Sequence, residues 1–204
     1  VMSTSEIYGK NTSDSLSEED DRILGSPLKS RWSYSEAKAI DEILAYTYWR
    51  EKGLETVIIR LFNTVGPRQT GRYGMVIPRF VGQALRNEPI TVFGDGNQTR
   101  CFCHVGDVVA GLVALSEHPE AFGKVFNLGG GEEVSIRELA ERVIELAGSQ
   151  SSLEFIPYDT AYEAGFEDME RRVPNTTRAM QLVGFEPSAS LDDIIRSVID
   201  DQQA

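Results

Sequence analysis

The sequence is poor in the side chains that bind metal ions or form disulfides. Its 204 residues include two cysteines and two histidines. Cys101 and Cys103 alternate along a predicted strand, so they share one face and lie too close in sequence for a good disulfide. No further cysteine or closely spaced histidine completes a zinc site. We therefore interpret both cysteines as reduced packing residues and predict no metal site.

Positive charge is also scarce. Lysine and arginine number 20 against 32 aspartates and glutamates, which gives a net charge of -12 and a pI of about 4.7. Nucleic acid is excluded as an expected partner, because phosphate binding needs a basic face. An anionic ligand would have to be bound by local arginines that act against the overall field.

Long hydrophobic runs are absent. No apolar run approaches the roughly 18 residues of a membrane span, and no signal peptide is recognisable. With 41% hydrophobic and 25% charged residues, the composition is that of an ordinary globular protein. We expect a cytoplasmic protein with no membrane partner.

Predicted strands and helices alternate along the chain. The strongest helix covers 33–52, where five apolar residues recur at helical spacing and Gly53 follows as a stop. Its apolar positions are Ala37, Ile40, Ile43, Leu44 and Tyr48. A short β-branched run over 56–62 predicts a buried strand, and Ser135 with Glu138 predicts a capping box at the start of a later helix. Further helices are predicted over 76–87, 106–118, 134–148, 176–185 and 191–202, and further strands around 123–131 and 152–158. The stretch 90–105 predicts two short strands around the turn Gly94–Asn97. This alternation predicts an α/β fold with a mostly parallel sheet.

Two short motifs place polar side chains where chemistry is possible. The chain opens with "VMSTSEIYG", in which Thr4 and Glu6 follow the predicted end of a strand. In "YSEAK", Tyr34 and Lys38 stand four residues apart and share one helical face. A lysine ammonium beside a tyrosine stabilises the phenolate, which lets the tyrosine exchange a proton near neutral pH. The Tyr-Lys spacing alone is common, but a strand-end hydroxyl about thirty residues earlier predicts that Thr4, Tyr34 and Lys38 share one cleft.

Several ordered motifs together resemble the extended short-chain dehydrogenases/reductases that modify nucleotide sugars. They are "STSEIYG", "YSEAK", "RLFNTVGPRQ", "PITVFGDGNQTRCFCHVGDVV", "FNLGGGEEVSI" and "RRVPN". This family includes nucleotide-sugar 4-epimerases, 4,6-dehydratases and UDP-glucuronate decarboxylases. The resemblance implies an α/β fold with a partial Rossmann-like parallel sheet, its C-terminal half, and a smaller α/β substrate-binding lobe. It also implies NAD as cofactor, a nucleotide sugar as substrate, transient oxidation at C4 of the sugar, and a homodimer.

The resemblance assigns roles at the oxidation step. Tyr34 would remove the proton of the C4 hydroxyl, and Thr4 would hydrogen-bond and orient that hydroxyl. Lys38 would hold the nicotinamide ribose and support the tyrosine. Arg60 is assigned with Tyr34 and Lys38 to the cofactor side.

Other residues are assigned to the substrate by the same resemblance. Asn63 would contact the phosphate or the sugar, although an asparagine that starts a turn is an alternative. Arg100 and Arg172 would grip the diphosphate with bidentate guanidinium groups, or form surface salt bridges instead. Asn175 stands where the family commonly has aspartate, which weakens the expected contact to the nucleotide ribose.

The residues after Thr4 bear on the reaction that follows oxidation. The triplet Thr4-Ser5-Glu6 is similar to that of UDP-glucuronate decarboxylases, in which serine, glutamate and an arginine, here Arg172, assist loss of CO2. GDP-mannose-type dehydratases also have this triplet, so 4-epimerase and 4,6-dehydratase readings stay open. A solvated Glu6, or one paired with Arg31, is the alternative without a catalytic role.

The glycine-rich GxxGxxG turn that binds the dinucleotide in this family is missing. "GGG" at 129–131 follows a predicted strand but lacks the spacing. We expect residues 1–70 to be the C-terminal part of the NAD-binding domain and 71–204 to be mostly the sugar-nucleotide lobe, with 104–130 returning to the first domain. Such a C-terminal portion alone would be inactive. A non-catalytic sugar-nucleotide-binding module and a structural dimer partner joined through helix 33–52 are alternatives.

Overall fold

The computed structural model describes residues 1–71, 74–161, 169 and 171–204. The strands are β1 (Met2–Thr4), β2 (Ile58–Leu61), β3 (Thr64–Val65), β4 (Ile90–Phe93), β5 (Thr99–Cys101), β6 (Cys103–His104), β7 (Val125–Leu128), β8 (Glu133–Ser135), β9 (Leu153–Ile156) and β10 (Arg171–Arg172). The helices are α1 (Ser33–Lys52), α2 (Val76–Leu85), α3 (Val105–Glu117), α4 (Ile136–Leu146), α5 (Tyr158–Ala161), α6 (Thr177–Val183) and α7 (Leu191–Gln203). Three short 3-10 turns cover Ser5–Tyr8, Ser30–Trp32 and Pro119–Ala121.

A three-stranded parallel sheet in the order β1-β2-β7 forms the base of the fold. Its register sets Ser3 beside Arg60, and Arg60 beside Asn127. The apolar residues of β2 and β7 pack with α3 and α6 into one core, and α2, α4 and α7 enclose a second core with β4. The predicted α/β fold with parallel sheets is confirmed, whereas the division at residue 70 stays a prediction.

The strands on either side of the Gly94–Asn97 turn do not pair with each other. β4 pairs with β9 in parallel, while β5 lies between β10 and β8. The buried Ile90 and Val92 of β4 pack in the core of α2, α4 and α7. This packing separates β4 from β5. The sequence predicts both strands correctly but not their partners.

The structure has the helix ends that local sequence signals predict. Ser135 and Glu138 form the predicted capping box at α4, and Gly53 ends α1 in the left-handed conformation with φ 66°. Both cysteines are buried and free, as predicted. Among the described residues, no helix is both long and apolar enough to cross a membrane.

The face of α1 that packs on the sheet is not its apolar stripe. Ile40, Ile43 and Leu44 are 58%, 62% and 52% exposed. The buried face consists of small residues and one acid: Ser35, Ala39, Glu42 and Ala45. Small side chains let the helix approach the sheet closely, and the larger apolar residues are left outside. The periodicity therefore predicted the helix correctly but does not mark its buried face.

A buried ion pair fixes α1 against the middle strand. Arg60 donates from Nε and Nη2 to the two carboxylate oxygens of Glu42, at 3.0 and 2.8 Å. Ser3 Oγ donates to the same carboxylate at 2.5 Å, and Arg60 Nη1 donates to the Tyr8 hydroxyl at 3.0 Å. Tyr8 in turn donates to Asn127 Oδ1 at 2.7 Å. This network joins α1, the turn after β1 and all three strands of the sheet.

Replacing Glu42 by glutamine should lower the free energy of unfolding by about 3 kcal/mol, because the change leaves a buried guanidinium without its counter-charge. Urea unfolding followed by far-UV circular dichroism measures it. Glu51→Gln is the matched control, since Glu51 pairs with Arg50 at an exposed site and should change stability by no more than about 0.5 kcal/mol. Equal stability of the two variants would contradict the role given to this pair.

Candidate active site at the carboxyl ends of the parallel strands

The opening "STSEIYG" forms a strand end followed by a tight turn. Thr4 ends β1 and caps the 3-10 turn, with its hydroxyl accepting a hydrogen bond from the Glu6 backbone N–H at 3.2 Å. Gly9 closes the turn with φ 60°, and a Cβ there would stand 2.3 Å from the Ile23 carbonyl oxygen. The small, capped turn therefore projects Ser5 and Glu6 at the carboxyl end of β1, where ligands bind in open α/β sheets.

The Glu6 carboxylate lies between two guanidinium groups. Arg172 Nη1 donates to Glu6 Oε1 at 2.5 Å, and Arg31 Nη1 donates to Glu6 Oε2. The three side chains are 14%, 12% and 18% exposed for Glu6, Arg172 and Arg31. Burial raises the pKa of Glu6, but the charge of Arg172 and the hydrogen bond from Arg31 outweigh burial and hold that pKa below its usual value. Glu6 is therefore a fixed, ionised carboxylate at neutral pH.

Arg172 extends this cluster towards β2. Its Nη1 also lies 3.3 Å from Ser5 Oγ, and its Nη2 lies 3.4 Å from Asn63 Oδ1. Asn63 is oriented by its own amide, which donates to the Cys101 carbonyl at 2.8 Å. Arg172 Nε is buried and has no hydrogen-bond partner among the described residues. A buried, unpaired donor is costly, so an additional acceptor at this nitrogen would be favourable.

The start of α1 adjoins the end of β1. Arg31 precedes α1 by two residues and contacts Glu6, which follows β1 by two residues. Tyr34, the second residue of α1, is 51% exposed, and Lys38 Nζ pairs with Asp41 at 2.9 Å. Thr4 and Tyr34 therefore lie at the same end of the sheet. That Thr4, Tyr34 and Lys38 converge on one cleft stays a prediction.

The other sequence-predicted residues lie in protein contacts of their own. Arg60 is held by Glu42 and Tyr8 inside the network described above. Arg100 is buried, with Nη1 donating to the Thr99 carbonyl at 2.8 Å. Asn175 accepts from the Thr177 backbone N–H at 3.0 Å through Oδ1. The cofactor role of Arg60 and the substrate roles of Arg100 and Asn175 stay predictions.

Sequence reasoning brought together part of this site and missed part of it. The structure joins Ser5, Glu6, Asn63 and Arg172, all of which the resemblance selected. Arg31 entered only as the partner of Glu6 in the alternative without a catalytic role, and the structure shows that Arg172 shares this pairing. Glu42 was missed, and its signal is an acidic residue on the helix face that otherwise has small side chains.

Comparison with known proteins identifies the class to which this fold and site belong. The model of the NAD dependent epimerase/dehydratase family matches residues 1–129. This match covers more than half of the chain, and the chain therefore belongs to that family.

Individual relatives show which members of the family this chain is similar to. The chain is similar to UDP-N-acetyl-alpha-D-glucosaminuronate decarboxylase of Bacillus cytotoxicus, at 39% identity over 97% of this chain and 61% of that protein. UDP-glucuronic acid decarboxylase 1 of Arabidopsis thaliana is also 39% identical, over 98% of this chain and 44% of that protein. The crystal structure of UDP-glucuronic acid 4-epimerase from Bacillus cereus, in complex with UDP-glucuronic acid and NAD, superimposes with a TM-score of 0.85 and 30% identity, covering 99% of this chain and 60% of that one. The chain thus spans less than two thirds of the length of these proteins.

The lowered pKa of Glu6 predicts an acid-dependent loss of stability. A carboxylate whose pKa is depressed by folding stabilises the folded state above its unfolded pKa, and that contribution is lost as the pH falls through the folded pKa. Glu6→Gln should therefore be less stable than the parent at pH 7, by about 3 kcal/mol, and the difference should shrink below pH 4.5. Urea unfolding at a series of pH values measures it. A difference that is constant with pH would contradict the ionised state of Glu6, and Glu141→Gln, at an exposed position on α4, serves as the control.

Proposed function

We propose that this chain contributes the acid-base and substrate-binding residues of an enzyme that modifies a UDP-linked sugar acid through a transient 4-keto intermediate, with decarboxylation as the favoured outcome. One observation carries the proposal above all: an ionised Glu6 is held by Arg31 and Arg172 beside Ser5, at the carboxyl end of a parallel sheet. A 4-epimerase has no step after C4 oxidation that needs such a carboxylate.

The substrate class follows from the arginines and from the relatives. The names of the three relatives specify a UDP-linked glucuronic or N-acetylglucosaminuronic acid. Recognition of a sugar carboxylate suits guanidinium groups, because their planar donors match two carboxylate oxygens. Arg172, whose buried Nε has no hydrogen-bond partner in the described part of the chain, supplies such a donor next to Ser5.

The oxidation step rests on residues at the start of α1. The donor set here, a half-exposed tyrosine phenol and a lysine ammonium on one helical face, fits a nicotinamide ribose and a sugar hydroxyl. NAD, when bound, would supply the oxidant for C4. Tyr34 would accept the proton of the C4 hydroxyl, Lys38 would hold the ribose and stabilise the phenolate, and Thr4 would orient the hydroxyl.

The later chemistry concerns the carboxylate at C5. Once C4 is a ketone, the sugar is a β-keto acid, so the bond from C5 to the carboxyl carbon can break with its electrons moving into the C4 carbonyl. CO2 leaves, and a proton must return to C5. In this proposal Arg172 and the Ser5 hydroxyl bind the departing carboxylate, and the ionised Glu6 holds Arg172 in place, because the three side chains form one connected cluster at the end of β1. Water supplies the proton that returns to C5.

Two other functions have specific support. The 30% identical solved relative is a UDP-glucuronic acid 4-epimerase, which favours a 4-epimerase as the second candidate. A binding module without redox capacity is the candidate from another class. NAD-dependent turnover by the protein extended to the length of its relatives separates an enzyme from a module.

A homodimer in the cytoplasm completes the proposal. The exposed stripe of α1 that includes Ile40, Ile43 and Leu44 gives apolar surface for pairing with a second copy, as a patch of this kind is typical of an interaction site. The free, buried cysteines agree with a reducing compartment.

In the protein extended to the length of its relatives, Tyr34→Phe should lower kcat by roughly 10²–10⁴, the usual contribution of a positioned acid or base. Substrate binding should largely survive, because only one hydroxyl is removed. Steady-state kinetics with UDP-glucuronate provide the measurement. A kcat near that of the parent would remove Tyr34 from the mechanism.

Glu6→Gln should separate the candidate reactions. In the same extended protein we expect NADH formation from C4 oxidation to remain observable while the chemistry beyond it stalls. Product analysis with UDP-glucuronate, UDP-glucose and dTDP-glucose in parallel tests this. If the variant forms a C4 epimer as fast as the parent, and neither protein releases CO2 or forms a 6-deoxy-4-keto sugar, the epimerase reading replaces the decarboxylase one.

A further inference from the structure

Arg31 occupies a well-supported position at the entrance to α1. It lies in the turn Ser30–Trp32 immediately before the helix, and its guanidinium stands 5.5 Å from the centre of the Trp32 ring. Trp32 is only 1% exposed, so its ring is a rigid support. Arg31 Nη1 donates to Glu6 Oε2. Contacts with Trp32 and Glu6 thus direct the side chain at the carboxylate.

We propose that Arg31 is a positioning residue for Glu6. It hydrogen-bonds to one carboxylate oxygen and keeps Glu6 ionised and in place when Arg172 binds a ligand. For its effect on turnover, this inference rests on the proposed function. Its effect on the ionisation of Glu6 belongs to the chain itself and is measurable without substrate or cofactor.

The contacts of Arg31 and Arg172 indicate that the two arginines have different roles. Arg172 contacts Ser5 and Asn63 as well as Glu6, and its Nε has no hydrogen-bond partner within the described ranges. It is therefore the arginine that offers donors to a ligand. When its Nη1 turns to a ligand, Glu6 Oε1 loses a partner, while Oε2 keeps Arg31.

Without Arg31, a ligand on Arg172 would leave Glu6 as a buried carboxylate with no counter-charge, and burial favours the protonated form of such a group. The other charged side chains of α1 and β2 near this end of the sheet are paired elsewhere: Glu36 with Arg22, Lys38 with Asp41, and Glu42 with Arg60. Arg171 of β10 is paired with Glu133. Among the described residues, Arg31 and Arg172 are thus the cations that act on Glu6.

The first experiment is a carbon-13 NMR titration of the glutamate side-chain carboxyl groups in the 204-residue chain, with the Glu6 signal assigned by its loss in Glu6→Gln. Arg31→Gln should move the Glu6 midpoint to higher pH. Arg31→Met, which keeps an unbranched apolar stem beside Trp32, should do the same and serves if Arg31→Gln does not fold. Arg31→Lys should return the midpoint towards that of the parent, because the charge is restored.

Arg50→Gln is the matched control. It removes an arginine that pairs with Glu51 at an exposed site, and the Glu6 midpoint should stay where it is in the parent. A Glu6 midpoint that is unchanged in a folded Arg31→Gln or Arg31→Met variant would overturn the proposal, since Arg31 would then have no hold on the carboxylate.

The second experiment measures turnover in the protein extended to the length of its relatives. Arg31→Gln should lower kcat by roughly 10- to 100-fold, the scale expected when a reacting group is slightly misplaced, with little change in KM. The acid limb of the kcat profile should move to higher pH, and Arg31→Lys should recover most of the rate. A rise in KM alone would overturn the positioning role. If the parent turns over no UDP-linked sugar acid, the proposed function is wrong. A Glu6 midpoint that shifts in Arg31→Gln would still show that Arg31 stabilises the Glu6 carboxylate.

Discussion

The bidentate pair of Arg60 and Glu42 is the contact on which the arrangement of this chain depends. Arg60 lies in the middle strand of the parallel sheet, and Glu42 lies on α1 one turn after Lys38. Because both groups are buried, the pair can exist only in one geometry, in which each guanidinium donor meets its own oxygen. The pair therefore fixes the position of α1 along the direction of the strands. The start of the helix, with Arg31 and Tyr34, is thereby set at the carboxyl end of β1.

A polar anchor of this kind also explains why the helix presents its apolar stripe outwards. The face of α1 against the sheet has two alanines, a serine and the glutamate, so its attachment depends on close backbone approach and on hydrogen bonds more than on large side chains. Burial of Glu42 would be unfavourable without Arg60 and Ser3. The larger residues Ile40, Ile43 and Leu44 are left for a surface that the described residues do not cover.

How far the sequence predicts the structure depends on whether the signal is local. The N-cap of helix α4 could be predicted, because the Ser135–Glu138 capping box lies within one turn. The pairing of β4 with β9 could not, since the two strands are more than fifty residues apart and nothing local selects the partner. The buried face of α1 was hidden for the same reason: the partner of Glu42 lies 18 residues away, in another element.

The candidate site likewise depends on contacts between residues that are distant in sequence. It also shows why the ion pair of Glu6 with Arg31 does not argue against a catalytic role. Selection of Ser5, Glu6, Asn63 and Arg172 depended on resemblance, because no local pattern links residue 6 to residue 172. A contact between Glu6 and Arg31 was the reading without a catalytic role, and the contact is present. Yet in a chain of net charge -12, a buried carboxylate stays ionised only where cations are placed against the overall field. Two arginines on one carboxylate are more than a surface ion pair needs. Under the proposed function, one of them binds a ligand while the other keeps the carboxylate ionised, so the ion pair with Arg31 is compatible with a role of Glu6 in the reaction.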